Sequence, residues 1–207
     1  KYFKIVDYKG KKPCYALIDS KTKTSTAEVP KVRGQSDLLP EEKIQRSYEE
    51  HLANIKAELK RQILRNDPSF FEKLVVDLLL KMGYGYDASS GIVVGGSHDG
   101  GIDGIISEDK LGLDLIYLQA KRYALKNSVG RKDLQAFVGA MQNVQKGVFI
   151  TTSTFSNEAR KYAEQQQQKN LKLIDGEMLS ALMIKYEVGI TTEDSIKIYR
   201  VDSSYFE

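Results

Sequence analysis

The sequence predicts an α/β protein in which helices flank an open mixed sheet, preceded by a basic, β-rich arm and a helical connector. From residue 67 onward the predicted order is helix, three strands, helix and strand, then further α/β units, which is typical of such a sheet. Residues 113–121 are apolar for most of their length, as in a strand buried on both faces. We therefore expect an arm at residues 1–35, a connector at 36–66 and a main domain at 67–207.

The first 35 residues differ from the rest in charge. They contain nine Lys and Arg against three acids, which leaves 22 basic against 25 acidic residues, a net charge of −3, for residues 36–207. Two β-like runs, residues 2–6 and 14–18, flank a basic turn at 8–12 and predict a hairpin. The connector is predicted to be helical from Pro40, because apolar or aromatic residues recur every three or four positions. They are Ile44, Tyr48, Leu52, Ile55, Leu59 and Ile63.

The elements of the main domain follow from apolar spacing and helix boundary signals. Asp67-Pro68 predicts the start of a second helix, with Asp as N-cap and Pro at the first helical position, and Gly83 predicts its end. Eight glycines in residues 83–104 predict turns around two short strands. In order, we expect strands at 92–94, 102–106 and 113–121, a helix at 130–145, a strand at 147–152, a helix after Ser156, a strand at 171–174, a helix at 176–186 and an edge strand at 196–201.

Composition excludes several classes of protein. Hydrophobic residues make up 41% and charged residues 29% of the 207 positions, which is typical of a globular domain. No apolar run approaches the roughly 20 residues of a membrane span, so no membrane association is expected. The single cysteine, Cys14, excludes an internal disulfide and a thiolate zinc site, and indicates a cytoplasmic protein. Since the chain opens on Lys1 without a methionine, we also expect an upstream segment.

A basic cluster lies within the otherwise acidic main domain. Five cationic residues fall within twelve positions that contain no acid, namely Lys121, Arg122, Lys126, Arg131 and Lys132. Such a cluster indicates a polyanionic partner, most often nucleic acid, although solvated lysines on a free surface explain the charge equally well. We interpret Arg122, Lys126, Arg131 and Lys132, with the nearby Gln135, as DNA contacts.

Polar residues interrupt two of the predicted strands. Gln119 and Lys121 are two apart, so their side chains share a face, and Asp103 interrupts the preceding apolar strand. Glu72 lies beside the apolar face of the second helix. Two carboxylates and an amide oxygen are hard ligands suited to Mg²⁺, and a lysine beside them could act on water or phosphate. This set predicts metal-dependent phosphodiester hydrolysis; a structural Asp–Lys ion pair is the alternative.

Other signals are weaker. His51 and His98 have no cysteine partner and are more typical of a surface helix and a loop than of metal ligands. No G-x-G-x-x-G or P-loop pattern is present, so nucleotide binding is unsupported. Residues 151–154 (TTST) lack a His/Asp arrangement, and we expect them to cap a helix or contact phosphate.

Six motifs together resemble a known family. They are residues 71–79 (FEKLVVDLL), 82–85 (MGYG), 99–106 (DGGIDGII), 119–123 (QAKRY), 147–152 (GVFITT) and 173–176 (LIDG). Their order and spacing over residues 37–207 resemble the Mrr-type catalytic domain of modification-dependent restriction enzymes. This domain belongs to the restriction-endonuclease-like nucleases, here in the branch where Gln replaces the second acid of the Asp…(Asp/Glu)-x-Lys signature.

The resemblance implies a restriction-endonuclease-like fold and hydrolysis of double-stranded DNA with Mg²⁺, or Mn²⁺ as a substitute. It implies Asp103 and Gln119 as metal ligands, Lys121 at the attacking water and Glu72 as an outer acid. It also implies a modification-dependent restriction enzyme that acts as a homo-oligomer, with residues 1–35 as the end of an upstream winged-helix domain. A junction or repair nuclease on the same fold, and a catalytically silent DNA-binding module, remain alternatives.

Overall fold

The computed structural model describes residues 38–94, 101–124 and 127–207, and the backbone of residues 4–9 and 12–16. The helices are α1 (Pro40–Arg65), α2 (Pro68–Lys81), α3 (Arg131–Ala140), α4 (Asn157–Glu164) and α5 (Gly176–Lys185). The strands are β1 (Lys4–Lys9), β2 (Lys12–Ala16), β3 (Gly91–Val93), β4 (Gly104–Ser107), β5 (Leu115–Lys121), β6 (Ser128–Val129), β7 (Lys146–Thr151), β8 (Thr154–Phe155) and β9 (Asn170–Ile174).

A five-stranded mixed sheet forms the centre of the main domain, in the order β3-β4-β5-β7-β9. The pairs β3–β4 and β4–β5 are antiparallel, whereas the pairs β5–β7 and β7–β9 are parallel. Parallel neighbours need crossover connections, and α3 and α4 follow β5 and β7 in the chain at those points. The predicted α/β class with a mixed sheet flanked by helices is confirmed.

The sheet separates two apolar clusters, because successive strand residues point to opposite faces. In β5, Ile116 and Leu118 join a cluster with α1, α2 and α5, and Tyr117 packs against a cluster with α3 and α4. We call these sides the α2 face and the α3 face. Odd-numbered residues of β5 therefore belong to the α3 face, and this alternation fixes where Gln119 and Lys121 project.

The chain divides into two compact units, residues 1–43 and 44–207. In the first, β1 and β2 form an antiparallel pair with an irregular register between Ile5 and Asp7, as predicted for a hairpin. In the second, Leu59 and Ile63 from α1 are buried in the same cluster as α2. The connector's last turns thus pack into the main core, and the division at 35/36 and 66/67 stays a prediction. Within the described ranges, no helix is both long and apolar enough to cross a membrane.

Two predicted elements differ from the structure. The helix expected at 130–145 ends at Ala140, since Gln142 has a φ of 43°, a left-handed conformation that stops a helix. The edge strand expected at 196–201 is wrong, because these residues have no regular structure and Ile196 and Tyr199 are exposed. Apolar alternation is insufficient for a strand when no neighbouring strand supplies backbone hydrogen bonds.

Candidate active site

Asp103 lies immediately before β4, at the point where the β4–β5 ladder ends. Gly104 pairs with Leu118, so one further step places Asp103 opposite Gln119. The Asp103 N–H donates to the Leu118 carbonyl at 2.8 Å, and its Oδ2 accepts from the Ala120 N–H at 2.7 Å. A side-chain oxygen therefore satisfies a backbone donor of β5, which fixes the carboxylate against the strand that carries Gln119 and Lys121.

Gln119 presents a buried amide oxygen without a partner. Its side chain is only 8% exposed, and Oε1 accepts no hydrogen bond from the described residues. The amide Nε2 faces Gly101, and a Cβ added to Gly101 would lie 2.7 Å from this nitrogen. Leaving a buried polar atom unpaired costs about 1–3 kcal/mol, so this acceptor is available to a bound ligand.

Lys121 ends β5 on the same face as Gln119. It is half-buried, and its Nζ lies 6.0 Å from the centre of the Tyr123 ring, at the outer limit of a cation–π contact. The positive charge of Lys121 is one of the influences that lower the pKa of Asp103, against the larger effect of burial, which raises it. Lys121 and Asp103 therefore lie close enough for their charges to interact.

Burial raises the pKa of Asp103 above its ordinary value, although the Ala120 N–H and then the Lys121 charge lower it in part. Burial also raises the pKa of Glu72, and the Asp103 charge raises it further. Glu72 is half-buried in the second turn of α2, so the two acids come from a helix and a strand that are distant in sequence. Two neighbouring acids with raised pKa values favour a bound cation.

These residues fit a divalent metal ion. Within the described part of the chain, no cluster of three or more His, Cys, Asp or Glu could hold one. Asp103, Glu72 and the orphaned Gln119 Oε1 instead supply three oxygen atoms, which is the donor type that Mg²⁺ prefers. His98 and Asp99 lie outside the described residues. In such a site the amide would take the place of a second carboxylate.

The predicted DNA contacts divide into two groups. Arg131 and Lys132 open α3 and are exposed, as is Gln135 one turn later. Arg122 instead donates from Nη1 to the carbonyl oxygens of Leu64 and Asn66. Its contact with DNA phosphate stays a prediction, and these two hydrogen bonds argue against it. Lys126 lies outside the described residues.

Hydroxyl groups at the end of β7 hold the end of β5. Thr151 Oγ1 donates to the Lys121 carbonyl at 2.7 Å. Thr152 Oγ1 accepts from the Tyr123 N–H at 2.9 Å and donates to the Tyr123 carbonyl at 2.7 Å. The interpretation of these two threonines as helix caps is wrong, and their phosphate contact stays a prediction. Their position at the end of a buried apolar strand could have indicated this role, because buried hydroxyls need hydrogen-bond partners nearby.

Gly101→Ala is expected to reduce activity by displacing Gln119. The added Cβ would lie 2.7 Å from Gln119 Nε2, and Gly101 has a φ of +95°, where an alanine is strained. We expect a loss on the order of 10²-fold in cleavage rate, because misplacing a group by about 1 Å has that effect. The measurement is the cleavage rate of folded variant at saturating metal.

A glycine control and a double-mutant cycle sharpen this test. Gly139 lies in α3 with open space where a Cβ would stand, so Gly139→Ala should retain activity and stabilise the helix by about 0.5–1 kcal/mol. In a Gln119→Ala background, Gly101→Ala should cause a smaller additional loss of activity, because the clash is gone and only the backbone strain at Gly101 remains. Full additivity of the two losses would contradict the role of the Gly101–Gln119 contact.

Comparisons with known proteins identify the family of this chain. The restriction endonuclease family Mrr_cat matches residues 63–183. The type IV methyl-directed restriction enzyme EcoKMrr of Escherichia coli (strain K12) is 44% identical over 170 residues, which are 81% of this chain and 54% of that protein. The chain thus spans about half the length of this relative.

Two solved restriction endonucleases are also similar. The DNA modification-dependent restriction endonuclease AspBHI has a TM-score of 0.53 and 20% identity, over 79% of this chain and 41% of that one. The MspJI restriction endonuclease in complex with a 27-mer oligonucleotide has a TM-score of 0.49 and 23% identity, over 62% of this chain and 31% of that one. The likeness to AspBHI supports the fold. Because the family match covers more than half of the sequence, this chain belongs to the Mrr catalytic-domain family of restriction endonucleases.

Proposed function

We propose that this chain is the nuclease module of a modification-dependent restriction enzyme, which hydrolyses phosphodiester bonds of double-stranded DNA with Mg²⁺, or with Mn²⁺ in its place. The observation that carries the proposal is that the Asp103 carboxylate accepts from the Ala120 N–H, between Lys121 and Gln119, whose amide oxygen has no hydrogen-bond partner among the described residues. A structural Asp–Lys pair would account for Asp103 and Lys121. Such a pair does not explain why the Gln119 amide oxygen has no hydrogen-bond partner among the described residues.

The roles follow from the chemistry of each group. Asp103 and Gln119 would hold the metal ion, and Glu72 would act as the outer acid. When bound, Mg²⁺ supplies positive charge that stabilises the negative charge developing on the scissile phosphate. The Lys121 ammonium would donate hydrogen bonds to the attacking water and to the phosphate, because donors aimed at developing charge accelerate such reactions. The Thr151 hydroxyl binds the Lys121 carbonyl and the Thr152 hydroxyl binds the Tyr123 carbonyl, which would keep the end of β5 fixed during this step.

Nicking of supercoiled plasmid tests the proposal directly. We expect this chain to nick plasmid DNA in Mg²⁺ or Mn²⁺ and to lose all activity in excess chelator, with recovery when metal is restored. Nicking that persists in chelator would contradict the metal-dependent assignment. A well-folded protein that binds DNA without any metal-dependent nicking would instead favour the silent DNA-binding module.

The salt dependence of DNA binding tests the basic surface. If about four cationic residues of the cluster at 121–132 contact phosphates, log K should fall with log salt at a slope of roughly −3 to −4. Lys132→Ala should make that slope shallower by about 0.9, because Lys132 is exposed at the start of α3 and each phosphate contact contributes that amount. Binding titrations of a duplex at several salt concentrations supply the slope. Affinity that is independent of salt would argue for a protein partner.

Recognition of DNA modification and assembly belong to the wider proposal. EcoKMrr is named a methyl-directed enzyme, and this chain covers 54% of it. We propose that base recognition resides mainly outside these residues, so that this chain alone distinguishes modified from unmodified duplex poorly.

Cutting both strands requires two active sites, so we propose a homo-oligomer on DNA. Such an enzyme acts where cellular DNA lies, which places it in the cytoplasm.

A further inference from the structure

We propose that Arg122 is a positioning residue, which holds the strand carrying Gln119 and Lys121 against the start of the helix carrying Glu72, and that it does not bind DNA phosphate. This inference rests on the proposed function and assigns a new role within that site. It departs from the interpretation of the basic cluster, in which Arg122 is one of several phosphate contacts.

The hydrogen bonds of Arg122 carry the inference. Nη1 donates to the Leu64 carbonyl at 3.1 Å and also to the Asn66 carbonyl. Leu64 lies in the last turn of α1, whose carbonyl oxygens have no partner within the helix, and Asn66 follows that helix directly. The guanidinium therefore caps the carboxyl end of α1, where a positive charge is also favoured by the helix dipole.

The direction of the side chain agrees with this role. Successive residues of an extended strand point to opposite faces, so Arg122 projects away from Lys121. Leu118 and Ala120, which share its parity, pack in the cluster with α1 and α2. Arg122 thus continues the α2 face of β5, whereas Gln119 and Lys121 belong to the opposite face.

The contact joins the two parts of the candidate site. Asn66 is followed by Asp67 and then by α2, in which Glu72 lies in the second turn. Releasing the junction between α1 and α2 would therefore shift Glu72 relative to Asp103 and Gln119, although Arg122 touches none of the three.

Two substitutions separate positioning from phosphate binding. Arg122→Lys keeps the charge but replaces the planar guanidinium, whose Nη1 donates to both carbonyl oxygens, with an ammonium one bond closer to the backbone. We expect Arg122→Lys and Arg122→Ala each to lower kcat for plasmid nicking on the order of 10²-fold, with KM and the salt slope of binding unchanged. Lys132→Ala supplies the opposite pattern, with a shallower slope and a higher KM.

Rates are measured well below the melting temperature of each variant, so that loss of folded protein does not contribute. Amide hydrogen exchange of residues 67–72 is measured in parallel, and we expect it to increase in both Arg122 variants but not in Lys132→Ala. Wild-type rates in Arg122→Lys, together with a shallower salt slope in Arg122→Ala, would overturn the inference in favour of phosphate binding. Faster exchange with an unchanged kcat would also overturn it, because Arg122 would then only stabilise the fold.

The proposed function can fail separately from this inference. If the wild-type chain shows no metal-dependent nicking, the proposed function is wrong, and the catalytic readout is replaced by Mn²⁺ binding measured by calorimetry. Both Arg122 variants should then bind Mn²⁺ at least tenfold more weakly than the wild type, whereas Lys132→Ala should bind it equally well. Unchanged Mn²⁺ affinity in the Arg122 variants would overturn the positioning role.

Discussion

Asp103→Asn is expected to abolish DNA cleavage while it raises the stability of the metal-free protein at neutral pH. The amide can still accept the hydrogen bond from the Ala120 N–H, so the fold should be retained. Removing the charge of the principal metal ligand should slow cleavage about 10³-fold or more, because metal ions supply several kcal/mol of stabilisation and each ~1.4 kcal/mol is tenfold in rate. Nicking rates measure the first effect and melting temperatures in chelator the second.

The stability effect has a defined pH dependence. Burial is the largest influence on the Asp103 pKa and raises it above 3.8, so the folded state binds this proton more tightly than the unfolded state. Stability must then fall as pH rises from about 3.8 through the raised pKa, and remain lower above it. Asp103→Asn lacks this loss of stability, so the stability difference between the variant and the wild type should be largest at neutral pH. The difference should disappear below the pKa of Asp103 in the unfolded state.

Added metal should reverse the order of stabilities. At a Mg²⁺ concentration 100 times its Kd, the wild type gains about 2.7 kcal/mol, which corresponds to roughly 5–10 °C in Tm for a domain of this size. Asp103→Asn should gain little, because the main ligand charge is absent. An Asp103→Asn variant that melts below the wild type in chelator would show that Asp103 mainly stabilises the fold.

The residues of the candidate site could be predicted because the sequence places polar groups where a buried strand should be apolar. Asp103, Gln119 and Lys121 interrupt predicted strands, and the alternation of strand residues places Gln119 and Lys121 on one face. Neighbouring strands that are close in sequence pair as hairpins, so Asp103 could be expected opposite Gln119. Local pattern and short-range pairing were sufficient for this part of the site.

The role of Arg122 could not be predicted in the same way. A count of charges shows that Arg122 belongs to a basic cluster, but it does not show which cation meets a helix end 56 residues away in sequence. The Thr152 hydroxyl likewise serves Tyr123, which follows a different strand. Such contacts depend on the crossover topology, which decides which distant backbone groups lie unpaired beside a side chain. The tail at 196–201 shows the converse, because its apolar alternation finds no paired strand.

Lys121→Ala is expected to eliminate nicking and to leave a folded protein. Lys121 is half-buried at a strand end, and its backbone is held by the Thr151 hydroxyl whatever the side chain, so β5 should keep its position. Loss of the group that acts on the attacking water and phosphate should lower the rate about 10²- to 10⁴-fold. Lys172→Ala is the matched control, since Lys172 is an exposed lysine on the edge strand β9 and should nick as the wild type does.

The same variant separates catalysis from a structural ion pair. Without the Lys121 charge, the pKa of Asp103 should rise further, because that charge is one of the two influences that lower it. In a structural pair, the main result would be a loss of stability, with no cleavage in the wild type to lose. In the catalytic site, the main result is a lower cleavage rate at full Mg²⁺ occupancy. Melting curves and nicking rates of one preparation decide between them, and normal nicking by a folded Lys121→Ala protein would end the catalytic assignment of Lys121.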